Sequence, residues 1–273
     1  MTEKKTSPTG RRTRSDRRKF LRTLAMAGGL VGASLLGLVP AVRGATKRLR
    51  PPGALLEEDF LAACIKCGQC VQVCPVEAIH LADINVGAGM GTPIITARDQ
   101  ACDFSCDGLQ CVLACPTGAL THHINYPHEA RMGVAKMVHP DKCLAAQGLG
   151  FQGLARGADF TGKLRFDEID RWNAIALNEH EFDEDVCNLC VQRCPIEIRL
   201  AQCEAGNPPA GNPLQCPPAS AIQLTAGDDV NGQATFMPEI LEGCVGCGAC
   251  EMVCPVQPAA IQVDFEHRMG GHA

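Results

Sequence analysis

Apolar positions in this chain come in short runs rather than long amphipathic stretches. Four of them follow a Cys-Pro step: Ala78-Ile79-His80-Leu81, Ala119-Leu120-Thr121-His122, Ala221-Ile222-Gln223-Leu224 and Ala260-Ile261-Gln262-Val263. Such brief runs are too short for core helices and suit short strands. Ahead of the first, residues 55–64 read as a short helix, with Glu57, Glu58 and Asp59 in its first turn. The pattern repeats as a small α+β unit of cysteine loop, Cys-Pro turn and apolar tail. Between Thr23 and Val42 lie 20 uncharged residues, including Gly28, Gly29, Gly32 and Gly37.

The loops preceding the tails carry the chemistry. Motif I is Cys64-x2-Cys67-x2-Cys70-x3-Cys74-Pro75, and motif IV repeats that spacing as Cys244, Cys247, Cys250 and Cys254-Pro255. This is the run by which bacterial ferredoxins hold 4Fe–4S clusters, with the last cysteine serving the neighbouring cluster. A structural zinc site would show two separated Cys pairs instead. Motif II, Cys102, Cys106, Cys111 and Cys115-Pro116, has one residue too many between its first two cysteines, which puts those two in doubt as ligands. Motif III is split, with 43 residues intervening between Cys143 and the group Cys187, Cys190 and Cys194-Pro195.

Two cysteines of the 18 remain, Cys203 and Cys216. Three readings stay open: free thiols, a disulfide, or a ligand role in which Cys216 replaces Cys194. A disulfide is favoured because the Cys194 spacing is already complete. They lie in an insertion over 201–218; another, over 150–186, is Gly-rich and then acidic and reads as a solvated loop rather than a docking loop.

Composition sharpens this picture. Aromatic residues make up only 4%, thin material for a large core, so bound metal is expected to support the fold. Residues 1–50 hold 13 Lys/Arg against 2 Asp/Glu, leaving 12 against 28 beyond them, a net of −16. A body so acidic excludes nucleic acid as a partner and suits a basic redox partner. No nucleophile–base set or nucleotide fingerprint accompanies the cysteines, and Gly87–Gly91 lacks the strand-to-helix context of one. The chain therefore reads as an electron-transfer component, not a stand-alone catalyst.

Ser15-Asp16-Arg17-Arg18-Lys19-Phe20-Leu21 matches a twin-arginine export signal, followed by the uncharged run. Residues 1–44 are thus either a cleaved signal or a retained anchor giving membrane association, and 45–273 form the ferredoxin-type part. The expected location is the periplasm.

Beyond its cysteines the chain resembles the NapG/MauM family of ferredoxin-type proteins. The resemblance runs through Arg48-Leu49-Arg50-Pro51-Pro52-Gly53-Ala54, Thr92-Pro93, Ala97-Arg98-Asp99, Ala130-Arg131-Met132-Gly133, Cys143-Leu144 and Gln147-Gly148-Leu149. It implies an exported protein of α+β class, tandem bacterial ferredoxin-like, with two dicluster units and four 4Fe–4S clusters held by the sixteen motif cysteines. It also implies a membrane-bound, cluster-containing quinol dehydrogenase partner and a periplasmic redox acceptor, in nitrate reduction or methylamine utilisation. Two alternatives are the iron–sulfur subunit of an exported molybdenum oxidoreductase and a cluster-delivery factor. By analogy with four-cluster subunits of molybdenum enzymes, motif I would pair with IV and II with III, so that Cys254 completes the site of Cys64, Cys67 and Cys70.

Overall fold

The structure is a computed structural model that describes residues 18–30, 32, 48–83, 87, 89–106, 108–165, 173–229 and 233–266. Helix α1 covers 18–30, so Ser15, Asp16 and Arg17 of the twin-arginine stretch and most of the uncharged run lie outside the described residues. No described helix is long and apolar enough to cross a membrane.

From residue 48 the chain forms two similar units. In the first, helix α2 (Glu57–Ala63) lies where the acidic first turn predicts it, and one-turn helices α3 (Gln69–Gln72) and α4 (Gln110–Leu113) carry Cys70 and Cys111. The tail of motif I forms strand β1 (Ile79–Leu81), antiparallel to β2 (Pro93–Ile95), which leads into motif II. The tail of motif II returns to the segment before motif I, touching it through a single bridge, Leu120 to Ala54. That tail is thus not the strand its apolar run predicts.

The second unit repeats the plan with full strands. Strand β3 (Val134–Met137) precedes motif III and pairs with β10 (Ile261–Asp264), the tail of motif IV. The tail after Cys216, β8 (Ile222–Ala226), pairs with β9 (Phe236–Ile240) ahead of motif IV. One-turn helix α5 (Leu189–Gln192) and α7 (Ala249–Val253) carry Cys190 and Cys250. In each unit, then, the tail of one motif pairs with the lead-in of the other. That crossing places consecutive motifs, I with II and III with IV, face to face.

The 150–186 insertion is not a solvated loop. It doubles back as a nested hairpin, β4 (Phe151–Leu154) with β7 (Glu181–Glu184), and β5 (Lys163–Leu164) with β6 (Ile175–Ala176). Ala155, Leu164, Leu177 and Phe182 are buried in the main core, which is why a polar-looking sequence folds down. Its polar groups land on the first unit. Gln100 and Lys163 exchange hydrogen bonds, Arg156 donates to the Arg98 carbonyl, and Arg165 donates to that of Ser105. The second insertion continues α6 (Pro195–Glu204) and is closed by a Cys203–Cys216 disulfide. Within α6, Glu197 accepts from Ser220 Oγ and from the Ala221 and Ile222 amides, tying the third tail down.

One core joins the units, with Phe60, Leu120, Met132, Leu189, Ile196 and Met252 all buried. Arg50, also fully buried, is neutralised by a bidentate pair with Glu57 at 3.0 and 2.5 Å, and it donates to Thr92 Oγ1 and the Pro93 carbonyl.

Candidate iron–sulfur centres

The third cysteine of each motif sits on a one-turn helix, and the fourth leaves on a Cys-Pro step that turns the chain toward the facing motif. The result is four sets of four thiols. Cys64, Cys67 and Cys70 share a cavity of about 350 Å³ with Cys115, which is set 1. Cys143, Cys187 and Cys190 share one of about 370 Å³ with Cys254, which is set 3. Cys244, Cys247 and Cys250 share one of about 350 Å³ with Cys194, which is set 4. In set 2, Cys102, Cys106 and Cys111 face Cys74, whose charges act on one another as neighbours.

This arrangement overturns the pairing expected by analogy with molybdenum enzymes. Cys254 completes the site of Cys143, Cys187 and Cys190, and Cys115 completes that of Cys64, Cys67 and Cys70. The physical reason is the strand crossing within each unit. It also settles the place of two doubtful residues, since Cys102 and Cys106 both stand with Cys74 and Cys111. Phe104, two residues after Cys102, is buried with a left-handed φ of 52°, as Lys66 and Gly246 are left-handed two residues after Cys64 and Cys244. Cys194 lies beside Cys244, while Cys216 is engaged in the disulfide. His122 and His123 line none of these cavities; His122 Nε2 bonds the Cys115 carbonyl at 3.1 Å.

The sets differ in depth. Cys67 is exposed, with Ile65 and Lys66 beside it, whereas Cys102, Cys111, Cys244 and Cys247 are buried. Burial pushes the thiols of Cys102 and Cys111 in set 2 and of Cys247 and Cys250 in set 4 far up. Cys70 and Cys187 are raised by burial and neighbouring thiols to about 11, and Cys194, mainly by burial, to about 12. At Cys115 burial acts the same way, but hydrogen bonds from the Leu120, Thr117 and Gly118 amides outweigh it and leave the thiol below its usual value.

Four thiolates held together in an apolar pocket need cationic partners, and tail amides supply part of the compensation. Ala78 N donates to Cys74 Sγ at 3.3 Å, Leu120 N to Cys115 Sγ at 3.4 Å and Ala260 N to Cys254 Sγ at 3.4 Å. Amide donors of this kind tune the potential of an iron–sulfur cluster. No three described His, Cys, Asp or Glu residues converge on a single-ion site. The thiols stand around a space instead, which suits a four-iron cube. Iron would supply the charge that the buried thiolates lack, and one-electron redox chemistry with it.

The units meet where sets 2 and 4 approach. Cys102 N donates to the Cys247 carbonyl at 3.4 Å, and Ala101 N to Met252 Sδ at 3.2 Å. Arg98, just ahead of motif II, donates to the Glu251 and Cys254 carbonyls at 2.6 and 2.7 Å and to Val256 O and Gln257 Oε1 at 2.8 Å. Reasoning from cysteine spacing alone attaches no role to Arg98; its sequence signal is an arginine four residues before a cluster motif.

Comparison with known proteins agrees with this geometry. Residues 63–119, spanning motifs I and II, match the family described as 4Fe–4S dicluster domain, and 241–257 match the 4Fe–4S binding domain. The chain is 33% identical to the ferredoxin-type protein NapG of Escherichia coli over 251 residues, covering 90% of this chain and 84% of that protein. It is 34% identical to the methylamine utilization ferredoxin-type protein MauM of Paracoccus denitrificans, covering 90% and 88%. With NapG of Haemophilus influenzae it shares 32% identity over 91% and 71%. No solved structure matches the chain. Relatives of that identity, over nearly the whole length, and cysteines grouped as 4Fe–4S sites together mean that the chain belongs to the NapG/MauM family of ferredoxin-type, iron–sulfur electron-transfer proteins.

Proposed function

We propose that this protein is an exported electron carrier with four 4Fe–4S clusters. The clusters are bound by Cys64, Cys67, Cys70 and Cys115; by Cys74, Cys102, Cys106 and Cys111; by Cys143, Cys187, Cys190 and Cys254; and by Cys194, Cys244, Cys247 and Cys250. The observation that carries this reading is the gathering of sixteen cysteines into four sets of four. It passes electrons from a membrane-bound, cluster-containing quinol dehydrogenase to a periplasmic acceptor, in nitrate reduction or methylamine utilisation. Support for export comes from the twin-arginine stretch and from the Cys203–Cys216 disulfide, a bond that persists in oxidising compartments. The acidic body supports a basic docking face on the partner.

The test is iron, acid-labile sulfide and zinc per chain on anaerobically prepared protein. About 16 iron and 16 sulfide, four cubes of four, are expected. About 12 would remove one set, and zinc in place of iron would overturn the reading.

A further inference from the structure

We propose that Arg98, a residue of the first unit, positions the fourth cysteine of set 3 in the second unit and places a fixed positive charge beside it. The proposal rests on the reading of set 3 as a 4Fe–4S site.

Helix α7 ends at Val253, and the last carbonyls of a helix lack intrahelical partners. The chain then runs through Pro255 and Pro258, which have no N–H to offer. Those of Glu251, Cys254 and Val256 are instead taken by one guanidinium, at 2.6, 2.7 and 2.8 Å, with Gln257 Oε1 as a fourth acceptor at 2.8 Å. Only arginine presents enough donors in a rigid fork to hold such a turn; lysine carries the same charge without that geometry.

Arg98 is itself held, because Arg156 donates to its carbonyl and stacks its own guanidinium 3.9 Å over the Phe160 ring. The 150–186 hairpin, which interrupts motif III, thereby grips the residue that grips motif IV. Glu251 and Asp99 lie close enough to act on the Arg98 charge, with Arg156 opposing them, and so does the Cys254 thiolate. Set 1 has a different device, since the Cys115 carbonyl is met by His122 of its own unit. Removing Arg98 should therefore act on one cluster of the four.

The experiment is redox titration of the purified holoprotein followed by electron paramagnetic resonance, with iron counted in parallel. Wild type, Arg98→Lys, Arg98→Gln and Cys254→Ser are compared, the signal lost in Cys254→Ser identifying the set 3 cluster. In Arg98→Gln that cluster is expected to shift to lower potential or to be lost, with iron falling by up to about four per chain. In Arg98→Lys it is expected to remain, with its potential close to wild type and its signal broadened by the loosened turn. The signal lost in a Cys64→Ser reference, the cluster of set 1, stays unchanged in both. An Arg98→Gln protein with all four potentials and full iron overturns the proposal. Should Arg98→Gln fail to fold, Arg98→Lys decides: change confined to set 3 sustains the proposal, and no change or equal loss from all sets overturns it. A wild type lacking four clusters would defeat the functional reading itself, before either variant is compared.

Discussion

Gly68 and Gly248 occupy the same place in motifs I and IV, each in the left-handed conformation ahead of a one-turn helix, at φ 76° and 87°. A side chain at Gly68 would meet open space, whereas one at Gly248 would run into the Ala97 side chain of the other unit. Two residues earlier the contrast recurs. Lys66 carries a full side chain at φ 58°, while its counterpart is Gly246, pressed against the Gly133 backbone. One copy of the loop faces solvent and the other is an interface. Identical cysteine spacing thus serves two environments, and the residues between the cysteines record which is which.

The largest expected effect tests whether the two units close separately. Cys115→Ser and Cys254→Ser should each lose about four iron atoms, but from different clusters. Signals lost in Cys115→Ser should match those lost in Cys64→Ser, and signals lost in Cys254→Ser those lost in Cys187→Ser. If Cys254→Ser instead matches Cys64→Ser, the units are not closed as described.

Next comes the glycine pair. Gly68→Ala should cost about 1 kcal/mol, the usual penalty of a left-handed non-glycine residue. Gly248→Ala adds overpacking against the Ala97 side chain and should cost about 3 kcal/mol or more, measured by thermal or denaturant unfolding of holoprotein. Equal losses would mean that the interface gives way at Ala97.

The disulfide belongs to the second unit alone. Replacing Cys203 and Cys216 together by serine should cost about 2–3 kcal/mol, the loop between them being short, and leave the iron content intact. A fall in iron would instead give one of the two a ligand role.

The smallest effect is one of pH. In reduced, iron-free protein, Cys70 in set 1 and Cys187 in set 3 keep their protons to about 11, against an ordinary thiol value of 9.0. Above pH 9 the unfolded chain releases these protons and the folded chain does not, so the unfolded state gains and stability falls as pH rises from 9 to 11. Below pH 9 this contribution is fully present. Urea midpoints across that window should decline in the iron-free protein and stay flat in holoprotein, whose thiolates are already bound.

Much of this was legible in the residues, because cluster spacing is a covalent constraint that one loop satisfies locally. All sixteen cysteines fall into sets, and three of four apolar tails are strands. What was not legible depends on contacts far apart in sequence. The partner of Cys254 is decided by β3 meeting β10 across more than a hundred residues, and no spacing within motif IV reports it. The hairpin at 150–186 looks solvated because its buried residues, Leu164, Leu177 and Phe182, are scattered among Gly and acidic positions. The irregular spacing of motif II nonetheless brings Cys102 and Cys106 together with Cys74 and Cys111.

The pairing of neighbouring motifs has a consequence for biosynthesis. All eight cysteines of sets 1 and 2 fall between residues 64 and 115, so both sites have their full complement of sulfur before Cys143 leaves the ribosome. The second pair must wait for Cys254, 111 residues after Cys143. Because short-range closure is entropically favoured and domains emerge N-terminus first, iron can enter the chain in two instalments, half by half. A released chain ending after residue 130 would already hold every cysteine of sets 1 and 2.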